Sequence, residues 1–248
     1  MAIRRPRFRG QPLLSASLRR PAGLLIAACA IVIATLGALT AHQAQADSVD
    51  ARIDAPIIAR LGSHQHAAML VVDIGNQHTI TIICVLLVLA CLAFRRPRSA
   101  LLVAVAVPLA SVLTEDVLKP LSGRTLGGGL SFPSGHETAV SSVAVAAIVV
   151  LIGPARPSLP AALRWTLAAV AAIATAVVAP ALVAVHFHYF TDTIGGAAVG
   201  TGTVLATALG LDALTAWLAR TRAARDGVAE PASAEDGMTA AGRRLPPA

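Results

Sequence analysis

The stretch AGLLIAACAIVIATLGALTAH, residues 22–42, has no Asp, Glu, Lys or Arg and decides the fold class of this chain. A helix needs roughly 20 apolar residues to cross the hydrocarbon core of a bilayer, and this stretch is long enough. Five further apolar segments follow it, at residues 79–94, 99–114, 137–153, 165–185 and 194–218. The sequence therefore predicts an all-α, polytopic membrane protein whose core is a bundle of six transmembrane helices.

The composition supports a membrane protein and argues against a soluble one. Of the 248 residues, 56% are hydrophobic, and the mean hydropathy is +0.71. A soluble domain of this size cannot bury so much apolar surface. The net charge of +7 does not indicate a nucleic-acid-binding protein, because the basic residues stand in short clusters between the apolar segments, where they determine topology. The bilayer is therefore an expected partner and nucleic acid is not.

The 20 basic residues are divided unequally between the two sides of the predicted bundle. Sixteen lie in the two tails and in alternate connections, against Arg52, Arg60, Lys119 and Arg124 in the other connections. Basic residues accumulate on the cytoplasmic side of membrane proteins. Lys119 is also the only lysine, and this skew towards arginine is typical of a GC-rich bacterial genome. We expect a bacterial inner-membrane protein with both termini in the cytoplasm.

The two ends of the chain differ from its middle. Residues 1–21 are predicted to form a basic cytoplasmic tail, residues 22–218 the six-helix membrane domain, and residues 219–248 a disordered cytoplasmic tail. Residues 44–46 read Ala-Gln-Ala and fit a signal-peptidase site, whose cleavage would remove the first segment. The apolar run before them is longer than the roughly 7 to 15 residues of a signal peptide, which favours a retained anchor.

The cysteines and several histidines give no sign of a metal centre. Cys29, Cys84 and Cys91 lie inside apolar segments without CxxC spacing, so we expect them to pack between helices. All seven histidines lie on or near the predicted outer side: His42, His64, His66, His78, His136, His186 and His188. The group of His64, His66 and His78 has no carboxylate at helical spacing and is predicted to lie in a solvated loop. No metal and no cofactor are expected.

The first polar cluster that carries chemistry combines acidic and basic residues near the end of the third segment. Glu115, Asp116, Lys119 and Arg124 precede the glycines at 127–129. Two cations beside a glycine-rich loop can surround a phosphate, and the arginine offers a planar fork. The alternative is an ordinary ion pair between Glu115 and Lys119, four residues apart on a helix, with Arg124 serving a lipid headgroup.

The second cluster, Pro133, Ser134, Gly135 and His136, directly precedes the fourth segment. Proline and glycine favour a turn, Ser134 can cap the following helix, and the free N–H groups at a helix start suit an anion. His136 can donate a proton to a leaving group, because the pKa of an ordinary histidine lies near ambient pH. The alternative is a plain helix start with an incidental histidine.

The third cluster is His188 with Asp192, at the outer end of the fifth segment. Their spacing of four predicts that both side chains lie on one face of a helix. A carboxylate that binds one nitrogen of an imidazole leaves the other nitrogen as a nucleophile with a fixed orientation.

In order and in membrane position, these three clusters resemble the signature motifs of the type 2 phosphatidic acid phosphatase superfamily, the membrane lipid phosphate phosphatases. The resemblance covers residues 79 to 218. It implies a six-helix core, metal-independent chemistry and a phosphohistidine intermediate. It also implies that His188 is the nucleophile, that Asp192 orients it, and that His136 protonates the leaving group.

The resemblance further implies a phosphate cradle made by Lys119 with Ser134 and Gly135. Two arginines of the family pattern are absent: Leu126 and Gly127 stand where the first motif has Arg-Pro, and Leu182 stands where the third motif has its arginine. We expect Arg124 to substitute for the first of them.

These observations predict an integral membrane phosphatase that hydrolyses a lipid mono- or diphosphate at the extracytoplasmic face. Prenyl diphosphates, phosphatidic acid and phosphatidylglycerol phosphate are all compatible substrates. The alternative is a catalytically weak or inactive relative that binds a lipid phosphate or a partner protein. A proton-coupled transporter is disfavoured because the histidines gather at one surface instead of mid-membrane. The sequence does not determine the oligomeric state.

Overall fold

A computed structural model of the chain describes residues 11–154 and 159–228, with side chains as far as residue 224. The helices are α1 (Ala16–Thr40), α2 (Ser48–Leu61), α3 (Gln65–Val72), α4 (Gln77–Ala93), α5 (Pro97–Val112), α6 (Lys119–Ser122), α7 (Gly135–Ile152), α8 (Ala161–Ala184) and α9 (Phe190–Val228). Two short strands, β1 (Thr125–Leu126) and β2 (Gly129–Leu130), pair antiparallel. The chain as far as Leu211 forms one compact unit.

The prediction of an all-α membrane bundle is confirmed. Among the described residues, five helices are long and apolar enough to cross a bilayer. A sixth candidate span joins Ser48–Gly75 to α4 across a bend of 48°. The bundle exposes large apolar side chains over its sides, and Trp165 and Trp217 are 63% and 55% exposed. Such a surface suits lipid, and tryptophan is typical of membrane interfaces.

The connection between the first two predicted spans is helical, so the prediction of a solvated loop there is wrong. It contains α2, single 3₁₀ turns at Gly62–His64 and Asp73–Gly75, and α3. The carboxylate of Asp47 starts α2 by accepting hydrogen bonds from the backbone N–H groups of residues 49 and 50, both at 2.8 Å. His64 and His66 are exposed on the surface of this segment.

Arginines hold together the end of the bundle where α4 meets α5. Arg96 donates from Nη1 to the carbonyl of Val150 at 2.8 Å, near the end of α7. Arg98 donates to the carbonyls of Gln11 and Leu211, at 2.8 and 3.2 Å. Guanidinium groups are favourable at the carbonyl ends of helices. The polar clusters of the sequence lie at the other end of the same helices.

The helices α7 and α9 approach each other closely through glycines of α9. A Cβ at Gly196 would lie 2.5 Å from the carbonyl oxygen of Ser134, and a Cβ at Gly200 would overlap the hydroxyl of Ser141. Small residues four apart allow such close contact between membrane helices. As a result the start of α7 and the start of α9 lie side by side, and the N–H of Ser134 donates to the carbonyl of Asp192 at 2.9 Å.

The predicted ends of the membrane domain differ from the helix bounds. The first helix begins at Ala16, six residues before the predicted start at 22, and α9 continues ten residues beyond 218 to Val228. Residues 1–10 of the predicted basic tail and residues 229–248 of the predicted disordered tail lie outside the described residues. The cysteines agree with the packing prediction, since all three are free thiols and Cys29 and Cys91 are buried.

Candidate active site

The glycines of the first cluster form the turn of a small hairpin. Gly123 ends α6 with a φ of +60°, and Gly127 and Gly128, with φ of +59° and +85°, connect β1 to β2. Two central residues with positive φ are the requirement of a tight hairpin turn, which glycine meets without strain. A Cβ on either turn glycine would touch nothing within 4 Å. These glycines therefore form an open tip instead of a wrapping phosphate loop.

The second cluster starts α7 as predicted. The Phe132–Pro133 peptide bond is cis, and Ser134, which is fully buried, caps the helix by accepting the N–H of Glu137 at 3.3 Å. Because the N–H of Ser134 itself donates to Asp192, it does not face an open site. The first helical N–H group of α7 belongs to Gly135.

His136 and His188 lie together at this end of the bundle. Their ring centroids are 6.4 Å apart in an edge-on arrangement. The loop before α4 covers His136, because a Cβ at Gly75 would lie 3.1 Å from the Cβ of His136. The structure thus brings together the histidines of the second and third clusters, which are 52 residues apart in the sequence.

His188 and Asp192 do not share a helical face, which corrects the sequence prediction. His188 lies in the connection between α8 and α9 and is 9% exposed, whereas Asp192 is fully buried in the first turn of α9. The N–H of Tyr189 donates to Oδ2 of Asp192 at 3.1 Å, which folds the connection back onto the helix. His188 Nδ1 lies 3.6 Å from the same oxygen, longer than a hydrogen bond, and has no other partner among the described residues.

Lys119 and Glu115 lie over the start of α7. Between α5 and α6 the chain makes a wide π-helical turn over Leu113–Leu118, in which the N–H of Lys119 donates to the carbonyl of Thr114. Nζ of Lys119 binds Oε2 of Glu115 at 2.8 Å, so the ion pair expected in the alternative interpretation is present. A Cβ at Gly135 would overlap the Glu115 carboxylate and would lie 3.5 Å from the lysine nitrogen.

Arg124 is fully buried, and its guanidinium group binds side chains in the protein interior. Its Nη1 donates to Oδ1 of Asp192 at 2.6 Å and to the hydroxyl of Thr191 at 2.7 Å, and its Nη2 pairs with Asp50. The guanidinium lies 4.3 Å from the ring centre of Tyr189. Burial opposes the charge, but the two carboxylates outweigh it and hold the pKa of Arg124 above its ordinary value. Arg124 therefore points to the acid beside His188, away from the exposed ion pair.

The family model of the PAP2 superfamily matches residues 112–216, which include all three clusters from Lys119 to Asp192. The segment that carries the three clusters is therefore similar to the PAP2 superfamily. The fold is similar to the crystal structure of a transmembrane PAP2-type phosphatidylglycerolphosphate phosphatase from Bacillus subtilis, with a TM-score of 0.58 and 17% sequence identity over 79% of this chain and 96% of that chain. No curated protein matches the sequence significantly. The family resemblance read from the three clusters is thereby confirmed.

Two buried acids outside the PAP2-matched segment complete this site, and sequence reasoning missed both. Asp50 of α2 is fully buried and accepts the N–H and the hydroxyl of Thr191 at 3.0 and 2.9 Å. Asp54, one helical turn later, accepts the N–H of Phe190 at 3.2 Å. Together they satisfy N–H groups at the start of α9. Their spacing of four residues was the available sequence signal.

Leucines occupy the two positions where the PAP2 pattern has arginines. Leu182 is fully buried in α8, and Leu126 is half-buried in the hairpin. Within the described ranges, Lys119 is the cation that lies against the start of α7. No group of three metal-binding side chains occurs among these residues.

An apolar cavity of about 770 Å³ lies beside the candidate site, between α1, α5 and α9. Residues of these three helices line it, including Ala30, Ile33, Leu109, Val199, Gly202 and Ala206. At one end the cavity reaches Ser122 and Phe132, which are joined by a hydrogen bond of 2.9 Å from the serine hydroxyl. Phe132 immediately precedes the second cluster, so the cavity ends next to the polar residues of the site.

Proposed function

We propose that this protein is an integral membrane phosphatase that hydrolyses a lipid mono- or diphosphate through a phosphohistidine. The observation that carries the proposal is the convergence of His136, His188 and Lys119 at the start of α7. A nucleophile, a proton donor and a cation for the phosphate are the parts that phosphoryl transfer to a side chain requires.

In the proposed reaction, Nε2 of His188 attacks the phosphorus atom. The bond from phosphorus to the leaving oxygen of the lipid breaks as the N–P bond forms, and His136 transfers its proton to that oxygen. Water then attacks the phosphorus atom and gives a proton to His136, the N–P bond breaks with its electron pair returning to Nε2 of His188, and phosphate is released. Asp192 lies beside Nδ1 of His188 and orients the ring, and their contact of 3.6 Å can shorten when substrate binds.

Lys119 and the N–H of Gly135 would hold the phosphate oxygens. The lysine supplies a point charge, and the start of α7 adds N–H donors and the positive end of its dipole. Ser134 supports this cradle by capping the helix, since its own N–H is bound to Asp192.

The apolar cavity favours a lipid as the substrate. It lies within the depth of the bundle and ends at Phe132, so a hydrocarbon chain in the cavity would bring its headgroup to the start of α7. Long apolar chains gain roughly 0.8 kcal/mol for each buried CH₂ group. A soluble phosphate ester could not use this contact.

The distribution of arginines supports an outward-facing site in a bacterial inner membrane. The arginines between α4 and α5 lie at the opposite end of the bundle from His136 and His188. By the positive-inside rule, that arginine-rich end is cytoplasmic.

Cysteine labelling tests this topology. In a chain without the three native cysteines, single cysteines at Ser63 and Gly128 should react with a membrane-impermeant reagent in intact cells, and one at Arg95 should react only after lysis. All three positions are exposed. Protection of the Gly128 position in intact cells would contradict the outward-facing site.

Phosphate release tests the reaction. Detergent-purified protein is expected to release phosphate from at least one of phosphatidic acid, phosphatidylglycerol phosphate and a prenyl diphosphate, and an excess of EDTA is expected to leave the rate unchanged. Failure on every lipid would refute the proposed phosphatase, and inhibition by EDTA would refute the metal-independent mechanism.

A catalytically weak or inactive phosphate-binding protein is the second candidate. It is favoured by one observation: both Nη atoms of Arg124 are bound by Asp50 and Asp192, so among the described residues Lys119 is the cation left for the phosphate. Incubation with ³²P-labelled lipid separates the two candidates. A phosphatase forms an acid-labile phosphoprotein and turns it over, whereas a binding protein retains intact lipid.

A further inference from the structure

Both cations that the sequence places near the site are opposed by carboxylates. Arg124 is held by Asp50 and Asp192 within the interior, and Lys119 is paired with Glu115 at 2.8 Å. The positions of the two absent family arginines are occupied by leucine. The positive charge that Lys119 can offer to a phosphate therefore depends on whether Glu115 remains paired with it.

Glu115 lies where the cradle would hold its ligand. The π-helical turn that contains it places its carboxylate directly against Gly135, so closely that a side chain at this position would overlap it. Glycine at 135 leaves space at the first residue of α7, and the Glu115 carboxylate takes that space. The same side chain is 49% exposed, so it has room to turn towards solvent.

His188 lies beside this ion pair, and its Nδ1 is on the side of Asp192, 3.6 Å from Oδ2, which leaves Nε2 available to a ligand. Nδ1 of this histidine is buried and has no hydrogen-bond partner among the described residues. The His188 ring packs edge-on against His136, the residue that follows Gly135. A phosphate bound between these groups would be a direct neighbour of the Glu115 carboxylate.

We propose that Glu115 is a specificity-determining residue that selects lipid monophosphates over lipid diphosphates. This inference rests on the proposed function and deepens it by naming the preferred headgroup. An incoming phosphate competes with the carboxylate for Lys119, and repulsion between like charges grows with each negative charge on the headgroup. A diphosphate carries more negative charge than a monophosphate and is therefore disfavoured more strongly.

The test compares Glu115→Gln with Asp116→Asn. Asp116 is the adjacent exposed acid of the same turn, so the control removes the same charge without contact to Lys119. For each protein, kcat/KM is measured with phosphatidic acid and with a prenyl diphosphate in mixed micelles. Glu115→Gln is expected to raise the diphosphate-to-monophosphate ratio about tenfold, equivalent to ~1.4 kcal/mol. Asp116→Asn is expected to change it less than about twofold.

Equilibrium binding separates failure of this inference from failure of the proposed function. Dissociation constants for inorganic phosphate and pyrophosphate are measured by thermal shift on wild type, Glu115→Gln, Glu115→Ala as a second variant at this position, and the control Asp116→Asn. Both Glu115 variants should lower the dissociation constant of pyrophosphate more than that of phosphate, whether or not any lipid is hydrolysed. The role of Glu115 would be overturned if its variants leave the preference for pyrophosphate over phosphate unchanged or lower it. It would also be overturned if Asp116→Asn changes that preference equally, or if neither anion binds to any of the proteins. Absence of lipid hydrolysis with the ratio raised would overturn only the proposed function.

Discussion

Replacing His188 by alanine is expected to abolish both lipid turnover and the acid-labile phosphoprotein. The imidazole is the proposed attacking group, so its loss removes the covalent route itself. Loss of a catalytic nucleophile typically lowers kcat by about 10⁴-fold or more. Turnover with a quenched-flow measurement of the ³²P-labelled protein checks both effects on one sample.

His66→Ala is the matched control for that experiment. His66 is an exposed histidine of α3 at the same end of the bundle, so the variant should retain wild-type kcat and phosphoprotein yield. A His188→Ala protein that still forms an acid-labile phosphoprotein would show that another residue is the nucleophile. Folding is monitored by the thermal midpoint, which should change little because His188 Nδ1 makes no hydrogen bond.

Replacing Arg124 is expected to lower activity strongly. The loss arises because Asp192 is no longer held in position, and not because a contact to the phosphate is removed. Arg124→Ala leaves Asp50 and Asp192 buried without their counter-charge, and breaking a buried pair in this way costs about 3–5 kcal/mol of stability. Arg124→Lys keeps the charge but loses the fork that binds both acids at once. We expect kcat/KM to fall at least about tenfold in the lysine variant, or ~1.4 kcal/mol.

The division of this effect between kcat and KM identifies the role of Arg124. A residue that positions Asp192 lowers kcat and leaves KM nearly unchanged, whereas a phosphate ligand raises KM. Asp50→Asn should lower kcat in the same way, because Asp50 holds the other side of the guanidinium. Arg52→Lys, an exposed arginine of α2, is the control and should leave both constants unchanged. A raised KM with normal kcat in Arg124→Lys would contradict the positioning role.

The membrane bundle and the three clusters could be predicted because their signals are local. An apolar segment such as 22–42 predicts a span by its own length and composition, and Ser134 before an apolar run predicts a capped helix. The order of the clusters was sufficient to recognise the family. No long-range contact enters any of these inferences.

The partners of Arg124 could not be predicted in the same way. Its contacts to Asp50 and Asp192 cross 74 and 68 residues. The sequence shows an arginine near a lysine, and a shared phosphate is then the nearest explanation. The helical spacing of His188 and Asp192 was misleading for a related reason, because a connection that folds back can bring two residues together without a common helix.

The sequence by itself determined which segments are long and apolar enough to cross a bilayer, where α7 begins and which residues are candidates for the chemistry, since each depends on local composition, spacing and capping. Only the tertiary structure decided how the charges are shared. The close approach of α7 and α9 at Gly196 and the return of α2 over the start of α9 bring Asp50 to Arg124 and leave Lys119 with Glu115. A buried charge must find its counter-charge wherever packing places one, and packing is a property of the whole bundle.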